Sequence, residues 1–295
     1  MKLRIAAVIA TRGRGDLLVH LLRHLKAQTR PPDVICFSAV VDGDVGAAAA
    51  TKDLPIKVVL GEAGLPAQRN RGVRAVSQDA DVIVFFDDDF FPARSWLERA
   101  ERVFLDNPSL LGVNGRTLAD GALGPGIDMA DAEQMLAKYQ DGASKGDATV
   151  VPCDALYGCN MAFRAGVFAK LQFDEHLPLY GWLEDYDFSV RLRAVGPIAK
   201  SDALCGVHLG IKSGKTSGVR FGVSQIVNPV YLYRKGTIGI LNTMRIILKP
   251  LLKNMGRALY AEPYIDRGGR LWGNLLGIAS LLRGRADPRM ILKLK

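Results

Sequence analysis

A chain of 295 residues, 48% hydrophobic and 23% charged, can bury a full core and is neither a disordered chain nor a low-complexity fibre. Cys36, Cys153, Cys159 and Cys205 show no CxxC spacing, which argues against a zinc knuckle or a disulfide framework and fits a reducing cytoplasm. Charge is uneven: residues 209–295 hold 16 Lys/Arg against 3 Asp/Glu, a net of +13, while residues 1–208 hold 23 against 27. Such asymmetry suggests a near-neutral body with a basic end that meets something anionic.

Basic Lys2 and Arg4 precede an apolar run, as in a signal peptide, but the run is short and Arg12 and Arg14 break it. Residues 3–10 therefore read as a first strand and 11–15 as its turn. No apolar stretch approaches the ~18 residues of a transmembrane helix. Leu17, Leu18, Leu21, Leu22 and Leu25 recur at helical spacing through Gln28. His20 and His24 share a face of that helix as paired metal ligands would, yet the helix offers no acidic partner, so a solvated face is expected. Residues 34–41 form a second strand running into Asp42-Gly43-Asp44, and 56–60 a third. Gly64-Leu65-Pro66 opens a helix carrying Gln68-Arg69-Asn70-Arg71-Gly72, with Pro near its first turn.

Residues 82–86, Val-Ile-Val-Phe-Phe, read as a buried strand of a mostly parallel sheet, and Asp87, Asp88 and Asp89 follow at once. On an extended backbone Asp87 and Asp89 would face one way and Asp88 the other. Two carboxylates at a strand's C-terminal end make a hard-oxygen site for Mg²⁺ or Mn²⁺, at the sheet edge where open α/β sheets bind ligands. An acidic turn in water is the competing reading. A helix over 93–106 and a short strand at 110–114 follow, and strand–helix alternation predicts a parallel sheet with covering helices. Residues 116–150 are rich in Gly, Ala and Asp, with one helical piece near 129–139, and read as an insertion or mobile flap.

Beyond Tyr157-Gly158-Cys159-Asn160-Met161-Ala162-Phe163-Arg164, the segment Gly181-Trp182-Leu183-Glu184-Asp185-Tyr186-Asp187 begins a helix that Gly196-Pro197 stops. Phe188, Leu192 and Val195 give its apolar stripe. Asp185 is expected on the inward side, where a carboxylate needs a partner or a role. Asp187 is expected to pair with Arg191 and face water. His208 follows a strand near 198–207, and 210–218 is a Gly/Lys/Ser loop. Helical patterns then cover 226–233, 238–252 and 271–282. Arg245, Lys249, Lys253 and Arg257 recur every four residues beside Leu241, Met244, Ile247, Leu248, Leu251 and Leu252. This basic amphipathic stretch fits either a membrane interface or ordinary packing on the domain with a solvated basic face.

Taken together, these motifs resemble a family 2 glycosyltransferase from about residue 3 to 208. Thr11-Arg12-Gly13-Arg14 resembles that family's opening turn, Val41-Asp42-Gly43-Asp44 its nucleotide turn and Gln68-Arg69-Asn70-Arg71-Gly72 its helix start, with Gln68 where Ala is common and Asp44 where Ser is common. Asp87-Asp88-Asp89 is similar to the DxD signature, Gly158 to Arg164 to the acceptor segment, and Trp182-Leu183-Glu184-Asp185 to the ED motif that carries the base. The resemblance implies an α/β GT-A fold: a mostly parallel Rossmann-like sheet with helices on both faces, catalytic over 1–220, with a nucleotide-sugar half at 1–115 and an acceptor half at 150–210. A basic helical region would occupy 221–295. It implies Mn²⁺ or Mg²⁺ on Asp87, Asp89 and His208, and a UDP-, GDP- or dTDP-linked sugar held by Thr11, Arg14, Asp42, Arg69, Asp87 and Asp88. Asn160, Trp182 and Glu184 would meet a saccharide or lipid-linked glycan acceptor, with Asp185 and Glu184 as catalytic carboxylates, Asp185 the base, of an inverting transfer in surface-polysaccharide synthesis. Competing readings are a solvated Arg69, a simple turn residue at Asp42 and a core histidine at 208. A sugar-phosphate nucleotidylyltransferase of similar fold and a non-catalytic binder of anionic ligands are the alternatives to a transferase. No recognised nucleic-acid motif accompanies the basic helices, so nucleic acid is not an expected partner, whereas an anionic membrane surface is one through the C-terminal helices, with the chain cytoplasmic or peripheral on the cytoplasmic face of the inner membrane.

Overall fold

In the computed structural model, residues 2–142, 149–212, 217–260 and 262–294 are described. In chain order the elements are β1 (Ile5–Ala10), α1 (Gly15–Lys26), β2 (Val34–Ala39), β3 (Ile56–Leu60), α2 (Leu65–Val76), β4 (Val82–Phe86), β5 (Phe90–Pro92), α3 (Trp96–Asp106) and β6 (Gly112–Asp120). Then follow α4 (Met129–Gly142), β7 (Val150–Pro152), β8 (Asn160–Arg164), α5 (Glu184–Arg193), β9 (Ile198–His208), α6 (Gly218–Arg234), α7 (Ile240–Arg257) and α8 (Arg267–Leu282). The chain forms two compact units. One comprises Met1–Ala63, Gln68–Gln172 and Ser189–Gly214, the other Gly64–Ala67, Phe173–Phe188 and Lys215–Lys295.

The first unit is built on a sheet in the order β3-β2-β1-β4-β8-β6-β9-β5, with β7 on β9. The β3-β2-β1-β4 half is parallel throughout, as strands rich in Val, Ile and Phe joined through helices must be. β8 lies antiparallel between β4 and β6, and β6 runs parallel to β9. Period-two alternation gives the central strands β1, β2 and β4 two buried faces. Ile5, Ala7 and Ile9 join Leu18, Leu21 and Leu25 of α1 and Trp96 and Phe104 of α3 in one cluster. Val8, on the alternate face, meets α2 at Gly72, where an added Cβ would lie 2.4 Å from Val8 Cγ1.

Two expectations change here. Residues 116–150 do not form a loose flap where they are described. β6 continues to Asp120, and Ala132 and Leu136 of α4 are buried with Phe91, Val207 and Leu209; residues 143–148 of that segment lie outside the described residues. His24 is not solvated, because α4 supplies an acid beside it: His24 Nε2 is 3.0 Å from Glu133 Oε1, and its ring lies 4.3 Å from that of Phe91. Burial holds its pKa below the usual value despite Glu133. The loop expected at 210–218 falls partly outside the described residues.

The second unit takes in more than the expected 221–295. Leu177 packs with Leu232 and Ile238, and Leu179 with Val223, Val227 and Ile291, so apolar contact draws 173–188 to the C-terminal helices. α6 approaches α8 closely through glycine: a Cβ on Gly273 would lie 2.1 Å from Val219 O. Asn254 Nδ2 donates to Gln225 Oε1 and Asn274 Oδ1, both at 2.9 Å, in a buried polar network. Asp187, expected in water, is 0% exposed. Lys235 Nζ lies 2.9 and 3.0 Å from its two oxygens, and Thr237 Oγ1 donates to it at 2.8 Å. Spacing within α5 gives no sign of this burial, because the cation that holds the carboxylate lies 48 residues downstream. Removing one partner of a buried pair costs about 3–5 kcal/mol. Asp187→Ala is therefore expected to lower the unfolding free energy from denaturant titration by that amount, and an unchanged midpoint would deny Asp187 its structural role.

Candidate functional site

β4 ends at Phe86, so the three carboxylates sit on a turn rather than an extended strand; Phe90 N–H closes it by donating to Asp87 O at 3.0 Å. The turn lies at the C-terminal end of β4, beside β1, where parallel α/β sheets place ligands. Asp88 still separates from its neighbours. It is 5% exposed and accepts from Thr11 Oγ1 at 2.9 Å and Arg14 Nη1 at 2.7 Å, which ties the turn after β1 to the turn after β4. Burial, with Asp89 and Asp87 nearby, pushes the Asp88 carboxyl up to about 6 although Arg14 opposes this. Arg14 Nη1 is also 3.7 Å from Asp89 Oδ2.

Asp89, Asp87 and His208 converge, with one candidate ligand atom from each lying within 4.8 Å of the others. β9 brings His208 opposite Phe90 in antiparallel register and opposite Asp120 of β6 in parallel register. His208 Nε2 lies 3.3 Å from Asp89 Oδ1, and Nδ1 lies 2.9 Å from Asp120 Oδ1. Tyr157 Oη donates to Asp120 Oδ2 at 3.0 Å. Burial disfavours the His208 cation, but Asp120 and Asp89 outweigh it and push its pKa up to about 10. Asp120 is held down at about 2 by hydrogen bonds from His208, Ala122 N–H and Tyr157, against the effect of its partial burial. Asp89 Oδ2 accepts Ile211 N–H at 2.8 Å. Gly210 keeps β9's end against the 120–121 turn: its φ is +66°, and a Cβ there would lie 2.2 Å from Gly121 C.

Two carboxylates and an imidazole suit Mn²⁺ or Mg²⁺, the nitrogen favouring Mn²⁺. A carboxylate on Nδ1 orients the ring so that Nε2 faces Asp89, the arrangement usual around metal-bound histidine. These residues therefore fit a divalent ion. Asp87 is more open, with a 32% exposed side chain, and accepts from Arg69 Nη2 at 3.1 Å. Arg69 is not solvated: it is 2% exposed, bonds Gly158 O at 2.8 Å and lies over the Phe85 ring.

Asp42 is exposed at the start of a 3-10 turn beyond β2, while Asp44 is buried. Asp44 accepts backbone N–H from Gly13, Val40 and Val41 at 2.7–2.9 Å, clamping the turns after β1 and β2 together. Gln68 Nε2 donates to Thr11 O and Ser38 O at 2.8 and 2.7 Å, a task alanine would not perform. Asn160 opens β8 opposite Phe86, is 0% exposed, and neither side-chain polar atom has a hydrogen-bond partner.

Trp182, Glu184 and Asp185 belong to the second unit, at the start of α5. Glu184 is 3% exposed, and half-buried Asp185 accepts Tyr186 N–H at 2.8 Å. Val195, expected in the apolar stripe, is exposed because α5 ends at Arg193, whereas Phe188 and Leu192 are buried. Leu179 and Leu183 have φ of +57° and +75°, uncommon for branched side chains. Asn228 Nδ2 holds Trp182 O at 2.9 Å between them. Such strain concentrates at functional sites. Sequence reasoning missed it, along with Asp120 and Tyr157, because no local pattern marks a left-handed leucine or a carboxylate brought in by strand register.

Among the described residues, no helix is long and apolar enough to cross a membrane. No curated protein sequence matches the chain. Its structure is similar to a mannosyltransferase, PcManGT, from Pyrobaculum calidifontis, solved with GDP-Man and Mn²⁺, with a TM-score of 0.56 and 18% identity over 99% of this chain and 79% of that one. S. aureus TarS 1-349 in complex with UDP-GlcNAc gives 0.56 and 16% over 99% and 83%. GalNAc-T7 with UDP, GalNAc and Mn²⁺ gives 0.54 and 14% over 83% and 54%. These likenesses establish the GT-A fold. The sequence profile described as "Glycosyl transferase family 2" matches residues 6–168, more than half of the chain, spanning the turns after β1, β2 and β4, Arg69 and Asn160. The chain belongs to glycosyl transferase family 2.

Proposed function

We propose that this glycosyltransferase is inverting and metal-dependent, moving a sugar from a nucleoside-diphosphate donor to a hydroxyl of a saccharide or lipid-linked glycan, in surface-polysaccharide synthesis. The convergence of Asp87, Asp89 and His208, with Asp120 on the far ring nitrogen, carries the metal-dependent reading. These three residues would hold Mn²⁺ or Mg²⁺, which when bound neutralises charge on the departing diphosphate. Arg69 contributes a fixed positive charge beside Asp87, and Arg14 does the same beside Asp88 and Asp89. Asp42, exposed beyond β2, accepts hydrogen bonds from the base or ribose. Thr11 and Asp88 fix the turns that surround the donor. Asp185 takes the acceptor hydroxyl's proton, and a single in-line displacement inverts the anomeric centre. Trp182, Asn160 and Glu184 shape the acceptor side. The structural relatives were solved with GDP-Man, UDP-GlcNAc and UDP, which supports the donor class without choosing its nucleotide.

Thermal shift with UDP, GDP and dTDP, each with and without Mn²⁺, tests this reading. Stabilisation by one nucleotide only when the metal is present is expected; no shift with any of them would overturn the donor site. Asp120→Asn addresses the ring-orienting carboxylate. Partners of this kind are worth about 10–100-fold in metal affinity, so Mn²⁺ affinity by calorimetry should fall by that factor. An unchanged affinity would remove Asp120 from the site.

A further inference from the structure

α7 exposes a row of large apolar side chains while its fully buried residues are polar. Thr243 and Asn254 are 3% and 0% exposed, whereas Leu241, Met244, Leu248, Leu252 and Met255 are 80, 50, 45, 62 and 54% exposed. At the α-helical turn of 3.6 residues, those five fall within an arc of about 80°. A helix packed on a soluble domain places its apolar stripe inward. Here part of the inward side is polar, with Thr243 Oγ1 donating to Gly239 O and Asn254 in the network with Gln225 and Asn274, while Ile246 packs on the Leu177, Leu232 and Ile238 cluster, and the row of five apolar side chains lies outward along about four turns. Leu259 and Tyr260, just beyond the helix, are 94% and 72% exposed and prolong it.

Charge selects what covers this face. α7 carries no Asp or Glu, and Arg245, Lys249 and Lys253 are exposed at four-residue intervals, beginning at the edge of the apolar arc. A second copy of the chain would set this basic row against another from a region of net charge +13. Lysine is also depleted in the core of protein interfaces. A bilayer containing anionic lipid offers hydrocarbon to the leucines and negative headgroups to the cations at once, and tyrosine suits that boundary. We infer that α7 lies in the plane of an anionic membrane interface, with Leu241, Met244, Leu248, Leu252 and Met255 toward the acyl chains and Arg245, Lys249 and Lys253 among the headgroups. The helix lies on the membrane and does not cross it. The inference is independent of the donor chemistry.

Flotation of the full chain with vesicles of phosphatidylcholine alone, or mixed with phosphatidylglycerol, tests it. The wild type is expected to float with the mixed vesicles and to be released by salt. Each interfacial Lys or Arg is worth about fivefold in partitioning, so Arg245→Gln/Lys249→Gln/Lys253→Gln should lose on the order of a hundredfold. Leu248→Asp/Leu252→Asp, at exposed positions, should abolish flotation while circular dichroism and melting stay those of the wild type. Absence of flotation on mixed vesicles would overturn the inference, as would equal flotation on neutral ones. A wild-type dimer that Leu248→Asp/Leu252→Asp splits, without any flotation, would assign the face to a second copy instead.

Discussion

Asp89→Asn is expected to reduce sugar transfer by on the order of a thousandfold and to remove the metal-dependent part of nucleotide binding. A bound divalent ion supplies several kcal/mol of charge stabilisation, and about 4 kcal/mol corresponds to nearly a thousandfold in rate. Asparagine keeps the volume and an oxygen for Ile211 N–H, so the 2.8 Å backbone contact survives while the negative charge next to His208 is lost. The loss then reports the missing ligand charge rather than a collapsed turn. Mn²⁺ titration followed by electron paramagnetic resonance provides a readout separate from turnover: the variant should leave more Mn²⁺ free at every protein concentration. Transfer within tenfold of the wild type, with unchanged Mn²⁺ affinity, would exclude Asp89 from the metal set. Asp87→Asn should behave alike in the metal titration, with the added consequence that the charge opposite Arg69 is lost while Arg69 keeps its bond to Gly158 O.

The candidate ligands on the 87–89 turn can be named from local sequence alone: an apolar strand, then carboxylates, at the edge where parallel sheets end. β3 falls at 56–60 as its β-branched residues require, and α2 starts where Leu65-Pro66 predicts. Residues whose roles depend on tertiary register were not legible. Asp120 reaches His208 because β6 runs beside β9 with two register shifts, and nothing in the composition of 116–150 marks that pairing. His24 was assigned to water for want of an acid on its own helix, and Glu133 of α4 provides one. Helical periodicity placed an apolar row on α7 but gave no direction for it. That direction depends on whether Asn254 finds Gln225 and Asn274, a choice made by α6 and α8. Patterns of 3.6 and 2 residues reveal which side chains share a face, while the neighbour that each face meets is a property of the assembled unit.

Asp185 and Asp187, two of the three acids in α5's first turn, separate the same way, and they define the other large expected effect. Asp185→Asn should lower kcat by about 10²–10⁴-fold, the range for a lost general base, and leave metal-dependent nucleotide stabilisation and the melting temperature unchanged. Asparagine can still accept Tyr186 N–H, so the helix start is preserved and the measured loss belongs to proton transfer. Asp187→Asn, two residues on, should show the reverse. Its carboxylate is fully buried and bonded to Lys235 and Thr237, so stability falls first and kcat only as the folded fraction does. Buried Glu184, just ahead of Asp185, provides the control for assignment. If Glu184→Gln alone abolished transfer in a folded enzyme while Asp185→Asn turned over normally, the base would be Glu184. The strained backbone at Leu183 favours Asp185, because a left-handed residue immediately before the helix sets where its first turn points, and proteins retain such strain where a side chain must be aimed.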